Sequence, residues 1–156
     1  MPIKLPFEAN QAIAGEASVC IEKPSEDVFH FIADHFFENY PKWSPDVVEL
    51  EPLESPEVAV GIKAKQVRED NGSRVESVFE IVDYAPYQRF KFEGLNAPYR
   101  HTYTLEEKPV DKLTELTFCF ELLELDVFMR PFQKLIRIAI EDGAENTVNS
   151  IKTLLT

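Results

Sequence analysis

The spacing of apolar residues changes along this chain, from every second residue over most of its length to about every 3.6 residues at its end. Between residues 131 and 155 the apolar positions fall on one face of a helical wheel and most charged positions on the other. At about 1.5 Å per residue, the predicted helix is ~37 Å long. Pro131 suits its first turn, where a missing N–H costs little. The predicted inward face comprises Phe132, Leu135, Ile136, Ala139, Ile140, Val148, Ile151 and Leu154.

Upstream of this helix, the alternation of apolar and polar residues predicts β-strands, with two short helices after the first strand. Pro24 and Ser25 begin the first short helix, and the second, at 36–40, is expected to stop at Pro41. Asn71-Gly72 is the strongest short hairpin signal in the chain. The predicted strands are 12–22, 47–53, 61–69, 73–84, 88–94, 99–107 and 113–125.

The order β-α-α-β6-α predicts an α+β fold in which an antiparallel meander curves around the C-terminal helix. Residues 1–11, with two prolines and no clear period, are predicted to form an N-terminal arm, and residues 12–156 a single domain. Because one helix rarely fills a strongly curved sheet, we expect a ligand cavity between them. Gly143 lies on the inward face of the helix, where it either makes room for a ligand or permits a kink or a close strand contact.

Charge and composition limit the classes of molecule that this protein is expected to bind. The net charge is −12, with 28 acidic and 16 basic residues, so phosphate backbones and anionic bilayers should be repelled. We therefore predict no nucleic-acid partner. The expected cavity and its apolar lining instead predict a hydrophobic small molecule or lipid as partner. The segment MPIKLPFEANQ lacks the apolar region of a signal peptide, and no apolar run is long enough to span a membrane. These features predict a cytoplasmic protein without integral membrane association, in which Cys20 and Cys119 are reduced.

No standard catalytic signature is present, and the five glycines form no nucleotide-binding pattern, so no cofactor is expected. His30, Asp34 and His35 lie close together in the first short helices. Three loosely spaced ligands without a fourth are a weak metal signal. Exposed helix polar residues are the favoured interpretation, and no metal site is predicted.

Tyr99, His101 and Tyr103 alternate along one predicted strand and share the face that points inward. They would orient a ligand's carbonyl or hydroxyl group, act as acid–base groups, or be core polar residues satisfied by neighbours. Trp43, after the second short helix, either covers the cavity mouth or anchors the core. No catalytic residue is assigned. The predicted ligand-binding residues are Trp43, Phe79, Phe90, Phe92, Tyr99, His101, Tyr103, Phe118, Phe120, Ile136, Ile140 and Gly143.

Three segments, 23–29 (KPSEDVF), 40–45 (YPKWSP) and 84–86 (YAP), resemble the START-like (SRPBCC) superfamily, and most closely its bacterial polyketide cyclase/dehydrase and lipid-transport group. The resemblance covers about residues 12–155. It implies the helix-grip fold, with a cavity between the sheet and the last helix. It also makes the first and last strands neighbours, so that a disulfide between Cys20 and Cys119 is sterically conceivable although the expected cytosolic setting argues against it.

Three functions are compatible with this resemblance, because superfamily members include lipid carriers, hormone receptors, allergens and aromatase/cyclases. The first is a binding protein or carrier for a hydrophobic small molecule or lipid. The second is a cyclase or dehydratase acting on an aromatic or polyketide substrate, which would depend on the strand face shared by His101 and the two tyrosines. The third is a protein-interaction module whose cavity is vestigial.

Overall fold

The computed structural model describes residues 12–156, and these form one seven-stranded antiparallel sheet in the order β1-β7-β6-β5-β4-β3-β2. The predicted arm, 1–11, lies outside the described residues. The strands are β1 Ile13–Ile21, β2 Val47–Pro52, β3 Lys63–Asp70, β4 Ser73–Ala85, β5 Arg89–Gly94, β6 Tyr99–Lys108 and β7 Leu113–Leu122.

Within residues 12–156, three α-helices accompany the sheet. Helices α1 (Ser25–Phe29) and α2 (Phe36–Trp43) lie between β1 and β2, separated by a π-helical turn at His30–Asp34. A 3₁₀ turn, Val127–Phe132, precedes the long C-terminal helix α3, Gln133–Leu155. The α+β class and the order β-α-α-β6-α are thus confirmed, with a curved sheet and a long final helix.

Two helix boundaries differ from those predicted at prolines. Helix α2 does not stop at Pro41 but continues through it to Trp43. Tyr40 and Trp43, on either side of Pro41 in the sequence, are both buried and so stabilise the last turn. The Ser44 N–H also donates to the Tyr40 carbonyl at 3.0 Å. Pro131 belongs to the 3₁₀ turn and not to α3. Asp126 caps this turn, because its carboxylate accepts the Phe128 N–H at 2.9 Å.

The hairpin at Asn71-Gly72 is confirmed. Both residues have positive φ, 51° and 82°, which a two-residue turn between twisted strands requires. The inward faces of β6 and β7 also follow the predicted alternation, since His101 and Tyr103 are buried opposite Phe120 and Phe118. These two strands therefore supply the middle of the concave face.

Helix α3 packs unevenly. Its C-terminal half buries Ala144, Val148 and Ile151 in the core. The predicted inward position is wrong for Phe132, Leu135 and Leu154, which are 50%, 65% and 42% exposed. The reason is that the helix contacts the sheet mainly along β1, and much less along β7.

Helix α3 lies close against β1 at Gly15. A Cβ added to Gly15 would lie 2.8 Å from Ile140 Cγ2 and 3.1 Å from the Glu141 backbone nitrogen. A side chain at this position would therefore push the helix away from the strand. Away from this contact, space remains between the helix and the rest of the concave face.

Strands β1 and β7 are paired, but their cysteines are not opposite one another. Cys20 lies opposite Glu115, and Cys119 lies opposite Glu16. Four residues along a strand separate the two positions by about 13 Å, whereas disulfides need Cα atoms within about 7 Å. The conceivable cross-strand disulfide is therefore excluded by register, and both cysteines are free thiols.

Candidate ligand cavity

A cavity of about 520 Å³ lies between the concave face of the sheet and α3. This volume is within the usual range for small-molecule sites. Its helix wall is almost entirely apolar or small, and consists of Ile136, Ala139, Ile140, Gly143, Ala144 and Thr147. The sheet wall combines the rings of Phe118 and Phe120 with a group of polar side chains. The cavity thus has an apolar side and a polar side.

The polar side is built from three neighbouring hydroxyl and amide groups. The Tyr99 hydroxyl lies 3.0 Å from both the Gln66 amide nitrogen and the Ser77 Oγ. From α2, the Tyr40 hydroxyl donates to Gln66 Oε1 at 3.1 Å. These bonds hold the polar groups of β3, β4 and β6 in one fixed cluster.

Arg68 places a positive charge beside this cluster. Its Nη1 donates to Ser44 Oγ at 3.2 Å, and its Nη2 lies 3.8 Å from Asp46 Oδ2. The second distance is longer than a hydrogen bond, so Asp46 gives the guanidinium only a loose ion pair. Because Arg68 also lines the cavity, its charge acts on the cavity interior.

His101 lies within a cage of aromatic rings. Its imidazole stacks on Phe92 at 4.4 Å between centroids and meets Phe118 and Phe120 edge-on. The Nδ1 atom is buried and finds no hydrogen-bond partner in the described part of the chain. Burial, helped by the charge of Arg68, lowers the pKa of His101 to about 3. The imidazole is therefore neutral at physiological pH.

The tyrosines of β6 are neutral as well. Burial raises the pKa of Tyr99, and it raises the pKa of Tyr103 well above its usual value. Both phenols consequently remain protonated and can donate hydrogen bonds. Neither forms a phenolate that would serve as a base near neutral pH.

The structure divides the predicted ligand-binding residues into two groups. One group lines the cavity: Tyr99, His101, Phe118, Phe120, Ile136, Ile140 and Gly143. The other lies in the solid core beneath α1 and α2, away from the cavity wall: Trp43, Phe79, Phe90, Phe92 and Tyr103.

The second group is displaced from the cavity by Phe36 of α2. Its ring lies 5.1 Å from that of Phe90 and 5.2 Å from that of Phe92, so the helix fills this half of the concave face. Trp43 is 3% exposed and donates its Nε1–H to the Tyr103 hydroxyl at 3.2 Å. Trp43 is thus a core anchor and does not cover the cavity mouth.

Gly143 faces open space. A Cβ added there would meet nothing within 4 Å, and α3 runs through the position without interruption. The second predicted role, a kink or a close strand contact, is therefore wrong, and room for a ligand stays a prediction. The strand contact belongs to Gly15 instead.

The sequence analysis did not identify the cavity residues of β3 and β4. Gln66 and Arg68 line the wall from β3, and Ser77 lines it from β4. A signal was present, since Gln66 and Arg68 follow Ala64 at intervals of two and so share its inward face. The polar character of the two residues concealed that face.

His30 and Asp34 are hydrogen-bonded to each other on the far side of the short helices. The second oxygen of Asp34 accepts the Tyr84 hydroxyl. Within residues 12–156, no group of three or more His, Cys, Asp or Glu side chains has a geometry that could hold a metal ion. Asp34 thus ties the π-helical turn to β4, and His30 pairs with Asp34 within that turn.

A sequence profile of the family described as polyketide cyclase/dehydrase and lipid transport matches residues 12–156. The chain belongs to this family. The predicted resemblance is therefore confirmed over the whole described region. No curated protein matches this chain in sequence.

Several solved structures share the fold of this chain. The Zhui aromatase/cyclase from Streptomyces sp. R1128 superimposes with a TM-score of 0.73 at 13% identity, covering 93% of this chain and 94% of that one. Ara h 8.0201 gives 0.71 at 12% identity, covering 92% and 97%. TTHA0849 from Thermus thermophilus gives 0.69 at 15% identity, covering 91% and 96%. At such identities the likeness establishes the fold alone.

None of the described helices, including α3, combines the length and the hydropathy that crossing a bilayer requires.

Proposed function

We propose that this family member binds, and carries, a hydrophobic small molecule or lipid that has a polar group at one end. The observation that carries the proposal is the division of the cavity into an apolar helix wall and a polar cluster on the sheet. The apolar body of the ligand would lie against Ile136, Ala139 and Ile140. Its carbonyl, hydroxyl or carboxyl group would reach Arg68 and His101, where a fixed hydrogen-bonding environment is already present.

Binding is favoured over catalysis by the chemistry of His101. A general acid or base works best when its pKa is near the operating pH, whereas burial holds the pKa of His101 at about 3. A cyclase or dehydratase remains the second candidate, because Arg68 would stabilise a developing negative charge next to the same imidazole. The open volume of the cavity speaks against the third hypothesis, a vestigial cavity in an interaction module.

Native mass spectrometry of protein purified directly from its host tests the proposal. We expect a bound apolar molecule that is lost on denaturation. In parallel, the empty protein is titrated with the fluorescent probe 8-anilinonaphthalene-1-sulfonate. Gly143→Leu should weaken probe binding by about tenfold, because the new side chain enters the cavity without a Cβ clash. An exposed neighbour gives the matched control, Asp142→Leu, which should not. A protein that carries no molecule and binds the probe equally well in both variants would contradict the proposal.

His101→Gln separates binding from catalysis. If His101 only orients the polar group, loss of one neutral hydrogen bond should reduce affinity by roughly 0.5–1.5 kcal/mol. If it is the acid–base group of a cyclase, turnover should fall by roughly 10²–10⁴-fold while binding survives. We expect the first result, measured by calorimetric titration with the molecule that mass spectrometry identifies.

A further inference from the structure

The 3₁₀ turn and the first turns of α3 expose an unusual amount of apolar surface. We call residues 127–138 the entry segment. Six of its apolar side chains are between 44% and 82% exposed: Val127, Phe128, Met129, Phe132, Leu135 and Ile138. Exposed apolar residues scattered singly are ordinary, but a continuous cluster of this kind marks an interaction site.

The charge of the entry segment is opposite to that of the whole chain. The chain carries a net charge of −12, yet residues 127–138 contain Arg130, Lys134 and Arg137 and no acidic residue. Lys134 and Arg137 are exposed, and Arg130 is half-buried. Apolar side chains interleaved with cations are typical of a helix that lies in a membrane interface.

We propose that the entry segment docks onto an anionic lipid bilayer, with Phe128, Phe132 and Leu135 entering the interface and Lys134 and Arg137 contacting anionic headgroups. The net negative charge of the protein opposes this approach only at a distance. At physiological ionic strength, charges are screened beyond about 8 Å, so the charges at and next to the segment decide the contact. Counted with the flanking exposed acids Glu124 and Asp126, residues 124–138 carry three cations and two acids, a net charge of +1. The expected general repulsion from anionic bilayers therefore does not extend to this surface.

The entry segment lies next to the cavity, so docking would place the cavity beside the bilayer. Ile136 belongs to the entry segment and also lines the cavity wall. Ile136 further contributes, with Val127, Met129 and Leu125, to a second groove that runs beside the start of α3. Docking would bring the lipid phase next to this end of the cavity, so an apolar ligand need not cross water.

A second copy of the chain is a less suitable occupant of the same surface. In a two-fold symmetric dimer the segment would face its own copy, which places Lys134 and Arg137 near the same cations of the partner. Like charges held together at an interface are destabilising. A bilayer containing anionic lipids satisfies both the apolar and the cationic side chains.

The test uses the full-length protein and sedimentation with phosphatidylcholine vesicles, with and without phosphatidylserine. We expect binding to the phosphatidylserine vesicles that weakens with added salt. The double variant Phe128→Ser/Leu135→Ser should weaken binding about tenfold or more, because each ring or aliphatic group loses its transfer into the interface. Lys134→Gln and Arg137→Gln should each weaken it roughly fivefold, and only on vesicles that contain phosphatidylserine.

Matched controls come from the turn between β6 and β7. This turn lies at the start of β7, whereas the entry segment follows the end of β7. Val110→Ser removes an apolar side chain that is 93% exposed, and Lys112→Gln removes an exposed cation. Neither should change vesicle binding. All of these positions are on the surface, so circular dichroism melting should show folded proteins of near wild-type stability.

Two results would overturn the proposal. The first is a negative vesicle assay: either the wild-type protein does not sediment with phosphatidylserine vesicles, or the variants of the entry segment bind as well as the controls. The other is a wild-type dimer, detected by light scattering, that Phe128→Ser/Leu135→Ser converts to a monomer while neither form binds vesicles. That outcome would assign the surface to self-association. The probe assay for the cavity is carried out without lipid. Its result therefore tests the proposed function separately from vesicle docking.

Discussion

The buried, neutral imidazole of His101 predicts how the stability of this protein depends on pH. In the unfolded chain a histidine has a pKa near about 6.5. In the folded protein, burial and the nearby Arg68 lower the pKa of His101 to about 3. Between these two values the unfolded state binds a proton that the folded state does not. Acid therefore stabilises the unfolded state, and the folded protein loses stability as pH falls.

The magnitude follows from the separation of the two pKa values. The stability is fully present above about pH 6.5 and falls by up to about 1.4 kcal/mol per pH unit below it. At about pH 5 the loss attributable to His101 is therefore about 2 kcal/mol. Near the folded pKa of about 3 it reaches about 4 kcal/mol. These values are large relative to the total stability of a whole domain, which is typically about 5–15 kcal/mol.

The assay is urea unfolding at about pH 7.5 and about pH 5, followed by the emission of Trp43, the single and buried tryptophan. His101→Gln removes the titrating group, so its free energy of unfolding should fall between the two pH values by about 2 kcal/mol less than that of the wild type. His35→Gln is the control, because His35 is exposed at the surface beside Glu38. Equal pH dependence in wild type and His101→Gln would refute the reasoning.

Two further predictions concern glycines and thiols. Gly15→Ala should destabilise the protein by about 1–3 kcal/mol because its Cβ would meet Ile140. Gly143→Ala should stabilise it by about 0.5–1 kcal/mol because its Cβ meets nothing. Thermal melting compares the two variants, and equal effects would contradict the close contact between Gly15 and α3. Cys20 should react quickly with Ellman's reagent and Cys119 slowly, since Cys20 is exposed while burial raises the pKa of the Cys119 thiol, and copper-catalysed oxidation should not join them within one chain. An intramolecular disulfide found by peptide mapping would contradict the β1–β7 register.

The entire order of elements follows from local patterns in the sequence. Alternation with a period of two identified each strand, and Asn71-Gly72 located the tightest hairpin, because positive φ at two consecutive positions is a local requirement. The inward face of β6 was likewise predictable, since a strand assigns alternate side chains to opposite faces whatever it packs against. Prolines were less reliable: Pro41 lies inside α2, where the burial of Trp43 outweighs the missing N–H.

Tertiary packing alone decided which inward residues line the cavity. Phe92 and Phe120 have equivalent local patterns, yet Phe36 of α2 covers the first and leaves the second at the cavity wall. The roles of the two inward glycines were also a tertiary matter, because a missing Cβ has the same local signature at a close contact and at an open space.

The sequence by itself determined the fold class, the order of the strands along the chain and the faces they present, since these depend on the period of apolar residues and on turn chemistry. Only the tertiary structure decided where α3 leaves the sheet, because that depends on its contact with Gly15 in a distant strand. Packing of α3 mainly along β1 leaves apolar side chains of the segment 127–138 exposed. The polar groups around the cavity come together because β3, β4 and β6 belong to one sheet. A helical wheel gives all of its apolar positions equal weight, whereas a helix that crosses a curved surface buries only those where the two surfaces meet.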